Sequence, residues 1–232
     1  MSIHEHSHAK SHSGEHQADG DSPQAGQAAL THHSHWDERY TNHSWPSEPD
    51  PWLVELASGL VPGKALDLGA GPGRNAIWLA QQGWEVTAVD GSQVALDQAA
   101  ARARAAGVEL ELVRADLLEF QPISATYELV VVANIHMRSP NREKLFATAA
   151  RALKPGGHLF VVGHHLEDFG RHGPPDPDML YTPQRLAAAL PKELVQERVE
   201  RVERSIGDGV GGHPDVAVLA WASAPRSQEG TP

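Results

Sequence analysis

The chain has 232 residues with 30 acidic against 19 basic side chains, a formal net charge of −11 and no cysteine. The length suits one α/β domain plus a tail, and the missing thiols exclude a disulfide framework and a cysteine nucleophile. An acidic chain lacks the basic footprint that neutralises phosphates, so nucleic acid is not expected as a partner. No apolar run approaches the roughly 20 residues of a membrane span, and the N-terminus lacks the apolar core of a signal peptide. The expectation is a cytoplasmic protein that needs no membrane.

Residues 1–35 hold eight of the fifteen histidines: His4, His6, His8, His12, His16, His32, His33 and His35. Ser, Gly, Gln, Asp and Ala separate them, with hardly any large apolar residue. Such a segment cannot bury enough surface to offset its ordering entropy and reads as a disordered tail. Imidazoles at this density bind divalent metals loosely, with His4, His6 and His8 as weak candidates and no firm ligand set. Residues 36–225 read as the folded domain, and residues 226–232 as a second disordered tail.

The domain opens at Trp36-Asp-Glu-Arg-Tyr40. One helical turn puts both rings on one face, with Arg39 beside them. A helix is expected over Trp52 to Leu60. Ala65-Leu-Asp-Leu-Gly-Ala-Gly-Pro-Gly73 then reads as a strand ending in a glycine-rich turn. Arg74 to Gln82 reads as a helix stopped by Gly83. Trp84 to Asp90 forms a second strand ending in an acid, and Ser92 caps a helix running to Gly107. Val108 to Leu118 alternates as a third strand and ends near Asp116-Leu117. Tyr127 to Asn134 is a continuous apolar run, expected of a strand buried on both faces. Ser139-Pro140 supplies a cap and a first-turn proline for a helix reaching Leu153. Lys154 to Gly163 makes a fifth strand, and Thr182-Pro183 starts a helix ending near Leu190. Leu194 to Ile206 and Asp215 to Ala224 pair as a hairpin through Gly207 to Pro214.

The glycine loop decides between cofactors. A dinucleotide fingerprint spaces its glycines G-x-G-x-x-G, whereas Arg74 and Asn75 follow Gly69, Gly71 and Gly73, so the third glycine is misplaced for it. The order D-x-G-x-G-x-G, followed by an acid at the next strand tip, resembles motif I of class I S-adenosylmethionine-dependent methyltransferases. The resemblance covers about residues 36 to 224. It implies an α/β fold with a doubly wound, seven-stranded, mostly parallel sheet, Rossmann-like, ending in an antiparallel hairpin, with S-adenosylmethionine as cofactor. It places Asp67 near the methionine amino end, Gly69, Ala70, Gly71 and Gly73 along the methionine and ribose, and Asp90 on the ribose hydroxyls beside Gly91 and Ser92. Asp116 and Leu117 fall at the adenine position and Asn134 at the methyl end. Glu128 departs mildly from the family's usual aspartate.

The W-x-x-R-Y box before motif I resembles small-molecule enzymes of this family, including tellurite-resistance and thiopurine methyltransferase-like proteins. In these the leading segment folds over the cofactor. Trp36 and Tyr40 are then expected to wall the substrate pocket, with Arg39 toward the cofactor carboxylate or an anionic substrate. Ligands of open α/β sheets bind outside the carboxyl ends of the strands. That places Asn134-Ile-His136-Met137 and Gly163-His164-His165 at the chemistry, with Leu166 to Tyr181, including Arg171 and His172, as a lid. His136 and His164 are the candidate catalytic bases, since neutral imidazole accepts a proton near pH 7; His165 alternates to the other face. Arg171 is the second candidate anchor for an anionic acceptor. The tip of the fourth strand lacks the Asn-Pro-Pro-aromatic pattern of amine methylation, and the missing cysteines disfavour arsenite chemistry. What remains is a metalloid oxyanion, a thiol, or a hydroxyl or amine metabolite, methylated by in-line displacement. The alternative is a metal-handling or regulatory protein that keeps this fold and uses the histidine tail. Oligomeric state is not encoded in any of these patterns.

Overall fold

The computed structural model describes residues 35–171, 173–204 and 215–226. The tail histidines His4, His6 and His8, His172, the 207–214 connection and the C-terminal tail lie outside the described residues. Seven strands form one sheet in the order β3-β2-β1-β4-β5-β7-β6. They are β1 Lys64–Leu68, β2 Glu85–Asp90, β3 Glu111–Arg114, β4 Tyr127–Ala133, β5 Leu153–His164, β6 Val195–Arg204 and β7 Asp215–Ser223. β1 to β5 pair in parallel, and β7 runs antiparallel between β5 and β6. The expected doubly wound sheet with a closing hairpin is therefore present. The third strand is shorter than its alternation implied, because only Glu111 to Arg114 finds partners on β2.

Helices cover both faces. α1 spans residues 35–42. It is followed by α2 Pro51–Ala57, α3 Arg74–Gln81, α4 Gln93–Ala106, α5 Asn141–Ala152 and α6 Pro183–Ala189. One apolar layer joins Leu66, Leu68, Val130 and Val132 to Phe146 of α5 and Leu186 of α6. The other joins Ala65, Leu129 and Val131 to Leu53 of α2 and Leu79 of α3. The alternation along β1 and β4 divides these sets, since successive side chains point to opposite faces.

The caps follow the sequence with one exception. Ser92 accepts from the Ala95 amide and Thr182 from the Arg185 amide, each satisfying an orphan donor of the first turn. Gly107 closes α4 in a left-handed conformation. At α5 the expected order shifts by one: Pro140 itself is the N-cap, and the Ser139 hydroxyl donates to Glu143 at 2.8 Å instead of capping. α2 stops at Ala57, before the expected Leu60. Asp50 caps α2 through the Trp52 amide, and its own amide donates to Asn75 Oδ1 at 2.9 Å, fixing α2 against α3. Among the described residues no helix is long and apolar enough to cross a membrane.

Candidate active site

The glycine turn joins the carboxyl ends of β1 and β2. The Gly69 and Ala70 amides donate to Val89 O at 2.8 and 3.1 Å. Asp90 holds the next turn: one carboxylate oxygen accepts from the Gly71 amide at 2.8 Å, the other from the Ser92 amide at 2.9 Å. Burial pushes the Asp90 carboxyl up, while the amides of Ser92, Gly71 and Gly91 pull it back down. Gly69 and Gly71 have φ of +77° and +55°, a region open to glycine at no steric cost. A Cβ at Gly69 would stand 2.2 Å from Ile135 Cδ1, and one at Gly71 would stand 2.9 Å from the Tyr40 hydroxyl.

Asp67 is 1% exposed. Its Oδ2 has no hydrogen-bond partner. Burial raises its carboxyl to about 7; the Asp90 charge adds to this, and the Arg74 guanidinium and Ala76 amide oppose it. A buried carboxylate oxygen without a donor is costly unless a ligand supplies one.

α1 docks over this turn. Asp37 accepts from the Ser92 hydroxyl at 2.5 Å and from the Val94 amide at 3.3 Å, and Gln98 donates to Tyr40 O at 2.9 Å. The Trp36 and Tyr40 rings share a face, with centroids 6.0 Å apart, and Tyr40 packs on Trp45 at 4.8 Å. Arg39 lies over Trp36 and Trp45, 5.0 and 5.8 Å from their centroids. Its guanidinium stacks on the aromatic platform, not on the glycine turn. Asp37 and Trp45 were missed by the sequence reading; Asp37 sits in no spacing that marks a contact more than 50 residues away, and Trp45 lies just beyond the W-x-x-R-Y box.

Asp116 closes its own turn, accepting from the Leu118 amide at 2.8 Å. The Leu117 side chain reaches to 3.4 Å from the Cβ position at Gly69. Leu117 therefore borders the glycine turn. Asn134 ends β4 with φ +58°, and its amide donates to Val162 O at 2.7 Å. Positive φ at a residue other than glycine is uncommon and concentrates at functional sites.

The two candidate bases meet at the carboxyl ends of β4 and β5. The His136 and His164 rings stack with centroids 5.2 Å apart. His136 Nε2 accepts from the His164 amide at 3.0 Å. In the neutral ring its Nδ1 must then carry the proton. This contact engages one ring nitrogen of His136, the first of the expected bases. His164 Nδ1 lies 3.7 Å from Asp215 Oδ1. His165 turns away, accepting from the Glu167 amide at 3.0 Å, and burial lowers its imidazole.

Tyr181, absent from the sequence-based candidates, is 1% exposed and donates to Ile135 O at 2.9 Å, fixing the tip of β4. Its only sequence signal is a place at the end of the presumed lid. That lid carries two short 3-10 turns, Leu166–Asp168 and Pro177–Met179. Arg171 turns back on it, donating to Glu167 O at 2.8 Å and meeting Asp168 at 3.3 Å. One nitrogen of its guanidinium, where a substrate anchor is expected, is thus engaged by its own turn. Among the described residues, His164, Asp168 and Asp215 form the group whose ligand atoms converge, all within 4.8 Å of one another.

These residues fit S-adenosylmethionine. Asp67 offers a buried acceptor, Gly69 and Gly71 turn the backbone at positive φ beside it, and Asp90 stands at the second strand tip. Gly71→Val is expected to lower stability by roughly 2 kcal/mol, from a β-branched residue at positive φ against Tyr40. It should also weaken S-adenosylhomocysteine binding by more than about tenfold. Denaturant melts and calorimetric titration read the two effects separately, and a folded variant with full affinity would move the cofactor away from this turn.

Comparisons with known proteins agree with this geometry. Residues 65–157 match the family model described as a methyltransferase domain. The chain is 28% identical over 163 residues to the ubiquinone biosynthesis O-methyltransferase of Aliivibrio fischeri, covering 63% of this chain and 70% of that protein. It is 34% identical over 108 residues to the ribosomal RNA small subunit methyltransferase C of Alcanivorax borkumensis, spanning 44% of this chain and a third (33%) of that protein. A solved structure from work on conversion of a disulfide into a thioacetal in echinomycin biosynthesis shares the fold. Its TM-score is 0.71 at 19% identity, over 85% of this chain and 94% of that one. Residues 65–157 are therefore similar to a methyltransferase domain, and the glycine turn with Asp67 and Asp90 fits S-adenosylmethionine as cofactor.

Proposed function

We propose that the protein transfers the methyl group of S-adenosylmethionine to a small-molecule acceptor, foremost a hydroxyl. The observation that carries this reading is the imidazole pair His136 and His164 at the carboxyl ends of β4 and β5, on the same sheet edge as the glycine turn and Asp67. The O-methyltransferase relative supports oxygen as the acceptor atom. An anionic acceptor, such as a metalloid oxyanion, would ask for a free guanidinium. Arg39 is stacked on two tryptophans and Arg171 is engaged by Glu167 and Asp168. That weakens the oxyanion version and the tellurite kinship more than the hydroxyl or thiol versions. Ribosomal RNA, named for the other relative, is disfavoured by the net charge of −11.

S-adenosylmethionine, when bound, supplies a sulfonium methyl whose carbon–sulfur electron pair leaves with sulfur. This chain's residues then have three tasks. Asp67 would hold the methionine ammonium, Asp90 the ribose hydroxyls, and Asn134 with the imidazoles would hold the acceptor in line. Alignment of this kind supplies roughly 7–11 kcal/mol in favourable cases.

Calorimetric titration with S-adenosylhomocysteine, followed by transfer of labelled methyl to phenols, catechols, thiols and tellurite, tests the reading. Micromolar binding with transfer to a hydroxyl is the expected result. Binding with transfer to thiol or tellurite alone would replace the acceptor, and no binding would remove the activity.

A further inference from the structure

We infer that Asp215 is a positioning residue that orients His164 as the proton acceptor of this site, leaving His136 as a structural donor; the inference rests on the acceptor-site reading above. The two histidines are close in kind but not in circumstance. His136 spends Nε2 on the His164 amide, so a proton is already required on its other nitrogen. His164 turns Nδ1 toward Asp215 Oδ1, at 3.7 Å with side chains 19% and 9% exposed. This separation is longer than a hydrogen bond, and catalytic contacts commonly tighten only when substrate arrives. A carboxylate at Nδ1 keeps the proton there and leaves Nε2 bare on the opposite side of the ring.

The ring is held on its flanks as well. His136 stacks on it, and a Cβ at Gly173 would stand 3.0 Å from its Cδ2 and Cγ atoms. Sheet register makes the pairing possible: His164 lies opposite Ala217 in the β5–β7 ladder, which brings the first residue of β7 alongside the end of β5.

The charged groups facing His164 come from three elements. Asp215 starts β7, Asp168 sits in the 3-10 turn, and Arg171 follows it and meets Asp168. Among the described residues, His136 and, behind it at 5.7 Å, Tyr181 also stand at this site. When the acceptor oxygen bonds to the methyl carbon and the carbon–sulfur bond breaks toward sulfur, the hydroxyl proton passes to His164 Nε2. The imidazolium so formed is then flanked by two carboxylates that offset its charge.

A metal ion is the competing occupant of His164, Asp168 and Asp215. Both oxygens of Asp168 are already engaged, Oδ2 by the Val216 amide at 2.8 Å and Oδ1 by Arg171 at 3.3 Å. An ion would have to displace that guanidinium.

The test is long-range proton–nitrogen NMR on the full chain labelled at histidine, with His164 assigned by His164→Gln. In the unmodified chain the neutral ring of His164 is expected with hydrogen on Nδ1 and a bare Nε2. In Asp215→Asn its titration midpoint is expected to fall by about one unit, while His158 on the same strand stays unmoved. A bare Nδ1 in the unmodified chain overturns the inference without need of any variant. So does an unchanged midpoint in a folded Asp215→Asn, or a His164 signal that changes on adding EDTA, which would mark an ion. None of these readouts depends on the acceptor, so a failed acceptor screen and a failed pairing are told apart.

Discussion

Asp67→Asn is expected to make the cofactor-free protein more stable at pH 8 and to abolish most of its affinity for S-adenosylhomocysteine. Asp67 is a buried carboxyl whose burial, with Asp90 nearby, raises it to about 7. Unfolded, it would ionise near 3.9. Between those values the folded state holds a proton that the unfolded state has lost, so this group's contribution to stability falls as pH rises from about 4 to about 7. The total is up to about 4 kcal/mol at one pKa unit per 1.4 kcal/mol. Asparagine does not titrate and should flatten that slope. Binding shows the opposite trend, because the ionised acid is the form that holds an ammonium. Affinity in the parent should therefore weaken below about pH 7, by up to tenfold per pH unit. In Asp67→Asn it should be weak at every pH, by about 1.5–3 kcal/mol at pH 8. Urea melts and calorimetric titrations from pH 5 to 8.5 measure both. Parallel stability curves for parent and variant would show that Asp67 does not carry the raised pKa.

The second large effect belongs to Asp90→Ala, which removes a carboxylate that the fold and the ligand both use. Its two oxygens accept from the Gly71 and Ser92 amides. Deleting it orphans two backbone donors, at about 1–3 kcal/mol for each that stays buried. Stability should fall by roughly 2–4 kcal/mol, and the glycine turn should lose its outer anchor. The ribose acceptor disappears as well, so S-adenosylhomocysteine affinity should fall by at least about a hundredfold, near 3 kcal/mol. Asp90→Asn separates the parts. It can still accept one amide bond, so it should recover part of the stability while binding stays weak. Full affinity in Asp90→Ala would place the ribose on another residue.

Both effects concern residues that were legible in the sequence. Apolar runs of strand length ending in Asp67 and Asp90 encode strands whose carboxyl ends carry an acid. Glycines at 69, 71 and 73 encode a turn with positive φ, observed at all three. These are local properties, set by side-chain alternation and backbone sterics within a few residues, so spacing determined the motif, the caps of α4 and α6 and the places of the seven strands.

Contacts between distant segments were decided only by the tertiary structure. Asp37 reaches Ser92, Tyr181 pins Ile135, and Asp215 meets His164, each across more than 40 residues. No periodicity encodes them. They follow from β7 entering the sheet between β5 and β6, and from α1 folding back over α4. The same arrangement distinguished two histidines that look alike in the sequence: the His164 amide donates to His136, while Asp215 of the last strand lies 3.7 Å from His164.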